Sequence, residues 1–61
     1  MDRLEICRMA QRSAEEMVDG VAALNDKHYE LLKEACTDEQ EIVRRLKIIL
    51  LTDALDLAKE E

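Results

Sequence analysis

The chain has 61 residues with a formal net charge of −6, one Gly, and no Pro, Trp or Phe. At this length we expect one domain over residues 1–61, and the acidic balance disfavours non-specific nucleic-acid binding, which relies on Lys and Arg. No segment approaches the ~20 apolar residues of a membrane span. A composition dominated by Ala, Leu, Glu, Lys and Arg is typical of an all-α protein.

The compartment is indicated by the N-terminal segment and the cysteines. The segment MDRLEICRMAQR is charged throughout and lacks the continuous apolar run of a signal peptide. Cys7 and Cys36 are too few and too far apart in sequence for a disulfide framework. Free thiols without an export signal predict a cytoplasmic protein.

A seven-residue repeat runs through the first half of the chain. One series comprises Cys7, Ala14, Val21, His28 and Ala35, and the other comprises Ala10, Met17, Leu24 and Leu31. Alternating spacings of three and four are typical of the seam of a coiled-coil helix. They predict one long helix over residues 2–35, with a bend near Gly20. The alternative is a break at Asn25, which would give three helices.

A second helix is predicted over residues 38–60. Thr37 followed by Gln40 matches the capping box, in which the Thr hydroxyl accepts from a backbone N–H and the Gln side chain reaches back. Acidic residues in the first turn complement the helix dipole. Because the connection between the two helices is short, they should be neighbours that form an antiparallel helical hairpin.

This hairpin would leave two apolar surfaces uncovered. The first helix would extend ~16 Å past the end of the second, and the second helix carries a stripe that points away from the first. We predict that both surfaces form a partner interface, which consists of Leu4, Ile6, Cys7, Ile48, Leu51 and Leu55. Two hairpins pairing through these residues would make a homodimeric four-helix bundle. The alternatives are a different helical protein as the partner and a monomer with exposed leucines.

Two polar residues occupy positions where apolar side chains are expected. His28 lies on the seam, where its ring would be partly buried and its protonation near neutral pH would weaken the bundle. Asp53 lies within the apolar face of the second helix, opposite Gly20 and Val21 in the hairpin register. We interpret Asp53 as a polar residue that fixes the register of pairing.

The sequence holds no arrangement typical of an enzyme. The chain has one His, and Asn25 stands where the Glu of a di-iron Glu-x-x-His motif would be. Gly-rich phosphate loops, Cys-x-x-Cys pairs and Ser/His/Asp arrangements are absent from the sequence. We therefore expect a protein that is not an enzyme and has no catalytic residue, cofactor, metal or small-molecule substrate.

The acidic turn TDEQEIVRRL and the alanine-containing seam resemble those of Rop, the family of plasmid copy-number regulators. The resemblance implies a dimeric four-helix bundle that binds paired RNA loops. This chain has no Phe and no cluster of basic and amide residues that maps onto an RNA-binding face, so the shape alone is carried over. Small hairpin co-chaperones of bacterial secretion systems are similar in shape.

The sequence thus predicts a non-enzymatic helical protein–protein interaction module, such as a small adaptor, regulator or co-chaperone-like subunit. It would work as a homodimer or with a helical partner. The second hypothesis is a small Rop-like regulator that binds structured RNA through the side of the first helix that carries Arg3, Arg8 and Arg12.

Overall fold

The structure is a computed structural model that describes residues 2–60, and within them the chain forms three helices. Helix α1 spans Arg3–Glu15, α2 spans Asp26–Ala35 and α3 spans Glu39–Glu60. The all-α prediction is confirmed, and α3 agrees with the predicted second helix to within one residue at its start. The overall dimensions are 36 × 19 × 15 Å, and the longest is close to the ~33 Å length of α3.

The predicted continuous helix over residues 2–35 is wrong, because the chain leaves the helical path after Glu15. Gly20 has a φ of 81°, in the left-handed region that glycine adopts without a Cβ penalty. Asn25 then has extended backbone, and its side-chain Oδ1 accepts from the Lys27 N–H at 2.9 Å, which caps α2. The structure therefore has the three helices of the alternative prediction, with non-helical chain between Glu15 and Asp26 that includes both Gly20 and Asn25.

The core lies where α1 packs along α3, with α2 contacting a shorter stretch of α3. On both helices the buried residues are spaced by four, so each row lies on one side of its helix. Small side chains on α1 allow the two helix backbones to approach closely. The buried residues of the core are Ile6, Ala10, Ala14, Tyr29, Cys36, Ile42, Leu46, Leu50 and Ala54.

Helices α1 and α3 run in the same direction. Near their starts, Ile6 and Ile42 line a common cavity, whereas Gly20, just beyond α1, lines another with Leu57 near the end of α3. The connection after α1 returns the chain to the start of that helix, where α2 begins. The predicted overhang of the first helix is therefore wrong, because α1 ends early and lies beside α3 instead of extending past it.

The start of α3 is capped by Asp38. Its backbone carbonyl accepts from the Ile42 N–H at 3.1 Å, and its side-chain Oδ1 accepts from the Gln40 N–H at 3.0 Å. The prediction of Thr37 as N-cap is wrong by one position, and Gln40 contributes its backbone N–H to the cap. A carboxylate here also complements the positive end of the helix dipole.

A candidate docking surface on α3

The side of α3 that faces away from α1 carries exposed aliphatic side chains. Ile48 is 55% exposed and Leu55 is 54% exposed. They are seven residues apart and lie opposite the buried row that contains Leu46 and Leu50. Spacings of three and four place further exposed residues in line with them. This surface, referred to below as the outer face, comprises Arg44, Ile48, Thr52, Leu55 and Lys59.

Thr52 adds no unpaired hydroxyl to the outer face. Its Oγ1 donates to the backbone carbonyl of Ile48 at 2.8 Å, within the same helix. A hydroxyl bonded in this way does not need water or a partner to satisfy it. The middle of the outer face can therefore be covered by apolar groups at little polar cost.

A groove of about 470 Å³ adjoins the outer face between α2 and α3. Leu32, Ile48 and Ile49 contribute apolar surface to it. Two arginines also line it: Arg45 donates to the Glu41 carboxylate at 3.1 Å, whereas Arg44 makes no hydrogen bond or ion pair within the described part of the chain. The groove thus combines an apolar lining with a charged edge, at which Glu41 neutralises Arg45 and Arg44 supplies a net positive charge.

The residues predicted to form the partner interface do not make one surface. Leu4 is 58% exposed but lies on α1. Ile6 is 2% exposed within the core, and its assignment to a partner interface is wrong because α3 of the same chain covers it. Cys7 and Leu51 are half-buried and pack against the core, so neither is the open apolar contact that was expected.

The sequence analysis did not identify Tyr29 as a core residue that contacts α1. Its ring is buried at 6% exposure, and the Arg3 guanidinium lies over it with 5.3 Å between Cζ and the ring centroid. The available signal was that Tyr29 is the one aromatic residue of the chain.

Leu31, which the heptad placed in the seam, is instead 57% exposed, because α2 does not continue the helical path of α1.

The two predicted polar seam residues are both half-buried. His28 lies in the first turn of α2, where its backbone N–H donates to the Asn25 carbonyl at 3.0 Å. Asp53 precedes the buried Ala54 and forms no hydrogen bond or ion pair with any of residues 2–60. The pH sensitivity of His28 and the register role of Asp53 stay predictions.

The pKa values of two α1 residues, Arg3 and Cys7, are shifted where α1 meets α2. Arg3 pairs with Asp26 and Glu30, and the hydrogen bond to Asp26 is the main reason that the pKa of Arg3 is raised. Burial raises the pKa of the Cys7 thiol, with a smaller opposing effect from Arg3. These shifts accompany structural contacts between two helices.

Across residues 2–60, no group of three or more His, Cys, Asp or Glu side chains could hold a metal ion. None of the helices in that range has the length and apolar character needed to cross a bilayer. No protein-family model, curated protein or solved structure matches the chain.

Proposed function

We propose that the chain is a non-enzymatic helical protein–protein interaction module that works as a homodimer or with a helical partner. The outer face of α3 is the observation that supports this, because Ile48 and Leu55 are more than half exposed on a helix whose other side is buried. Full burial of such a side chain contributes about 1.5–3 kcal/mol. A chain of this length has a total free energy of unfolding of roughly 3–9 kcal/mol. The free energy available from burying Ile48 and Leu55 against a partner is therefore a substantial fraction of that total.

The chemistry of the surface suits a helix as the partner. An amphipathic helix binds by placing apolar side chains at spacings of three and four into an apolar groove. The groove beside Ile48 offers such a lining, and the cations at its edge would pair with carboxylates flanking the apolar side chains. Since the described residues of one chain form three helices, a homodimer in this proposal is a pair of three-helix units instead of a four-helix bundle.

A cytoplasmic location belongs to the same proposal. Cys7 and Cys36 are both free thiols, and Cys36 is buried. Such thiols persist in a reducing compartment. Nothing in the interaction itself requires that compartment, so the location and the function can be tested separately.

Sedimentation equilibrium at micromolar concentration tests the function directly, together with native mass spectrometry of the protein purified from its own cells. We expect a dimer or a complex with another helical protein. The paired substitution Ile48→Glu and Leu55→Glu should abolish the association and leave helicity unchanged, because both residues are exposed in the single chain. Leu57→Glu is the matched control, since Leu57 is 52% exposed on α3 but lies off the outer face.

A folded monomer without any partner under both measurements would overturn the proposed function. Retention of the complex in the variant with both glutamates would show that the outer face is not the contact. Loss of the complex in the Leu57→Glu control as well would indicate a general effect of added charge.

The RNA-binding hypothesis is less well supported by the geometry. It would use Arg3, Arg8 and Arg12, but Arg3 is engaged by Asp26 and by the ring of Tyr29. Binding to RNA should weaken steeply as salt rises, because it releases counterions from phosphates. Retention on structured RNA at low salt that is lost in an Arg8→Glu variant would favour this function over the proposed one.

A further inference from the structure

We infer that the outer face of α3 binds α3 of a second copy of this chain, with the two helices antiparallel about a twofold axis midway between Leu50 and Leu51. The inference rests on the proposed function and adds to it the identity of the partner and the register of contact. It follows from the order of charges along α3 and from the angular positions of its side chains.

The charges of α3 change sign along the helix. Its first half has a net positive charge, from Arg44, Arg45 and Lys47 against Glu39 and Glu41, and its second half has a net negative charge, from Asp53, Asp56 and Glu60 against Lys59. When two copies lie antiparallel, the first half of each helix is beside the second half of the other, so halves of opposite net charge meet at both ends of the contact. A parallel arrangement would bring like charges together at each level, which is unfavourable.

The remaining charged residues of α3 are Glu39, Glu41, Lys59 and Glu60. Glu39 already has an interaction within its own chain. Glu41, in the basic half, is already bound by Arg45 of its own chain at 3.1 Å. In the antiparallel register Glu41 is level with Glu60 of the second copy and ~1.5 Å from the level of Lys59, and of these two only Lys59 belongs to the outer face. Lys59 and Glu60 follow one another at the end of the helix and largely offset each other.

Arg45 and Asp56 are the pair that the symmetry brings together. With 3.6 residues per turn, Arg45 lies about 60° and Asp56 about 80° around the helix from Ile48, in the same sense. A twofold axis perpendicular to both helices keeps each residue on its own side of the contact. Arg45 of one copy therefore faces Asp56 of the other, at the same height, and the pair occurs twice.

The aliphatic side chains interdigitate in the same register. At 1.5 Å per residue, Ile48 lies ~4 Å on one side of the axis and Leu55 ~7 Å on the other. Side chains from the two copies therefore alternate along the contact instead of meeting head to head. Leu51, which is half-buried in the single chain, lies within about 1 Å of the level of the axis, where the two copies of it can complete the centre.

Charge reversal tests this pairing without removing apolar surface. Arg45→Glu alone and Asp56→Arg alone each place like charges together twice, and we expect the dissociation constant of the dimer to rise about tenfold or more. A mixture of the two single variants makes both contacts attractive, so it should form the mixed dimer in preference to either homodimer. The chain that carries both substitutions should dimerise to within about threefold of wild type.

Native mass spectrometry with one variant isotopically labelled distinguishes the mixed dimer from the two homodimers. Arg8→Glu is the control for the change in net charge, because Arg8 is exposed on α1 and the same charge is reversed. It should leave the dissociation constant unchanged within about twofold. Circular dichroism confirms that each variant keeps its helicity, which is needed because Arg45→Glu also removes the pair with Glu41.

A disulfide test is independent of charge. With Cys7 and Cys36 both replaced by Ala, Leu51→Cys should form a covalent dimer under mild oxidation, because residues near a twofold axis meet their own copies. Leu57 lies off the outer face, so Leu57→Cys in the same background should form no disulfide-linked dimer. Rapid cross-linking of Leu57→Cys with none at Leu51→Cys would overturn the inferred geometry.

The outcomes separate this inference from the proposed function. A wild-type dimer whose single variants fail to form the mixed dimer overturns the antiparallel α3 pairing but leaves a homodimeric module. A monomer that co-purifies with a different helical protein overturns self-pairing and supports the broader proposal. A monomer without any partner overturns both.

Discussion

The guanidinium of Arg3 lies over the ring of Tyr29, with 5.3 Å between Cζ and the ring centroid. The same guanidinium pairs with Asp26 and with Glu30, the latter at 3.5 Å. One side chain of α1 thus contacts three residues of α2. Because Tyr29 is the buried residue of α2, this contact is a main attachment of α2 to the start of α1.

We expect Arg3→Gln to lower the midpoint of thermal unfolding and to increase hydrogen exchange in α2 more than in α3. The decrease should be small and should shrink at high NaCl, because the charged groups are largely exposed and their pairing is screened. Arg3→Lys is the matched variant that keeps the charge but loses planar stacking on the ring. Equal losses for both variants at every salt concentration would indicate packing of the side-chain stem instead.

Gly20→Ala distinguishes the broken chain from the continuous helix by the sign of its effect. In a continuous helix the substitution would stabilise by about 1 kcal/mol, the difference in helix propensity. With Gly20 at a φ of 81°, the added Cβ is strained by about 1–2 kcal/mol, although no neighbouring atom lies within 4 Å of its position. We expect a decrease in the free energy of unfolding, measured by urea denaturation.

The seven-residue repeat was informative about the burial of some of its members, though not of Met17 and Leu31, which are 63% and 57% exposed, and it was misleading about conformation. Val21 and Leu24 belong to the repeat, and both pack against the core as it predicted. They do so from non-helical backbone, because the left-handed Gly20 and the Asn25 cap separate α1 from α2. Periodicity alone cannot distinguish these cases, since residues in a loop that returns along a helix can contact the same core.

The second helix was predictable because several local signals agree there. Acidic residues in the first turn, the absence of Gly and Pro, and a long apolar pattern all indicate a helix over the region of α3. The exposure of Ile48 and Leu55 followed from their angular positions. The burial of Ile6 did not, because it depends on the direction in which α1 packs against α3, which is a tertiary property.

Substitutions at the two candidate caps of α3 should have unequal effects. Asp38→Ala removes the acceptor of the Gln40 N–H bond of 3.0 Å, and loss of an N-cap costs about 0.5–2 kcal/mol of folding stability. Thr37→Ala, one residue earlier and exposed, should stay within about 0.5 kcal/mol of wild type. Urea denaturation followed at 222 nm measures both. A larger cost at Thr37 would restore the capping box predicted from the sequence.

Cys7 should ionise at higher pH than an exposed thiol. Burial raises its pKa above the ordinary value of 9.0, so the folded state favours the protonated thiol. The resulting stabilisation is complete below about pH 9, the ordinary pKa of the thiol, and is lost as the pH rises through the raised pKa. In a Cys36→Ala background, Cys7 should therefore react with a thiol reagent near pH 8 more slowly in the folded chain than in the chain unfolded by urea.

The corresponding stability measurement uses Cys7→Ala. Above pH 9, the free energy of unfolding should fall more steeply with pH in the chain that keeps Cys7 than in the one that lacks it. Parallel pH profiles for the two chains, or equal reactivity before and after unfolding, would contradict a half-buried thiol at this position.

The buried row of α3 should carry much more of the stability than its exposed residues. Leu46 is fully buried, at 0% exposure, where α1 packs on α3, and Leu46→Ala should cost about 2–5 kcal/mol because it leaves a cavity. That is comparable with the whole stability of a chain of this length, so the variant is expected to be largely unfolded.

Ile42→Val, at a position with 5% exposure, should cost about 0.5–1.5 kcal/mol and allow a complete urea transition. Leu57→Ala is the control on the same helix, since Leu57 is 52% exposed and should change the free energy of unfolding by less than about 0.5 kcal/mol. A cost at Leu57 as large as that at Ile42 would mean that the end of α3 is buried in solution.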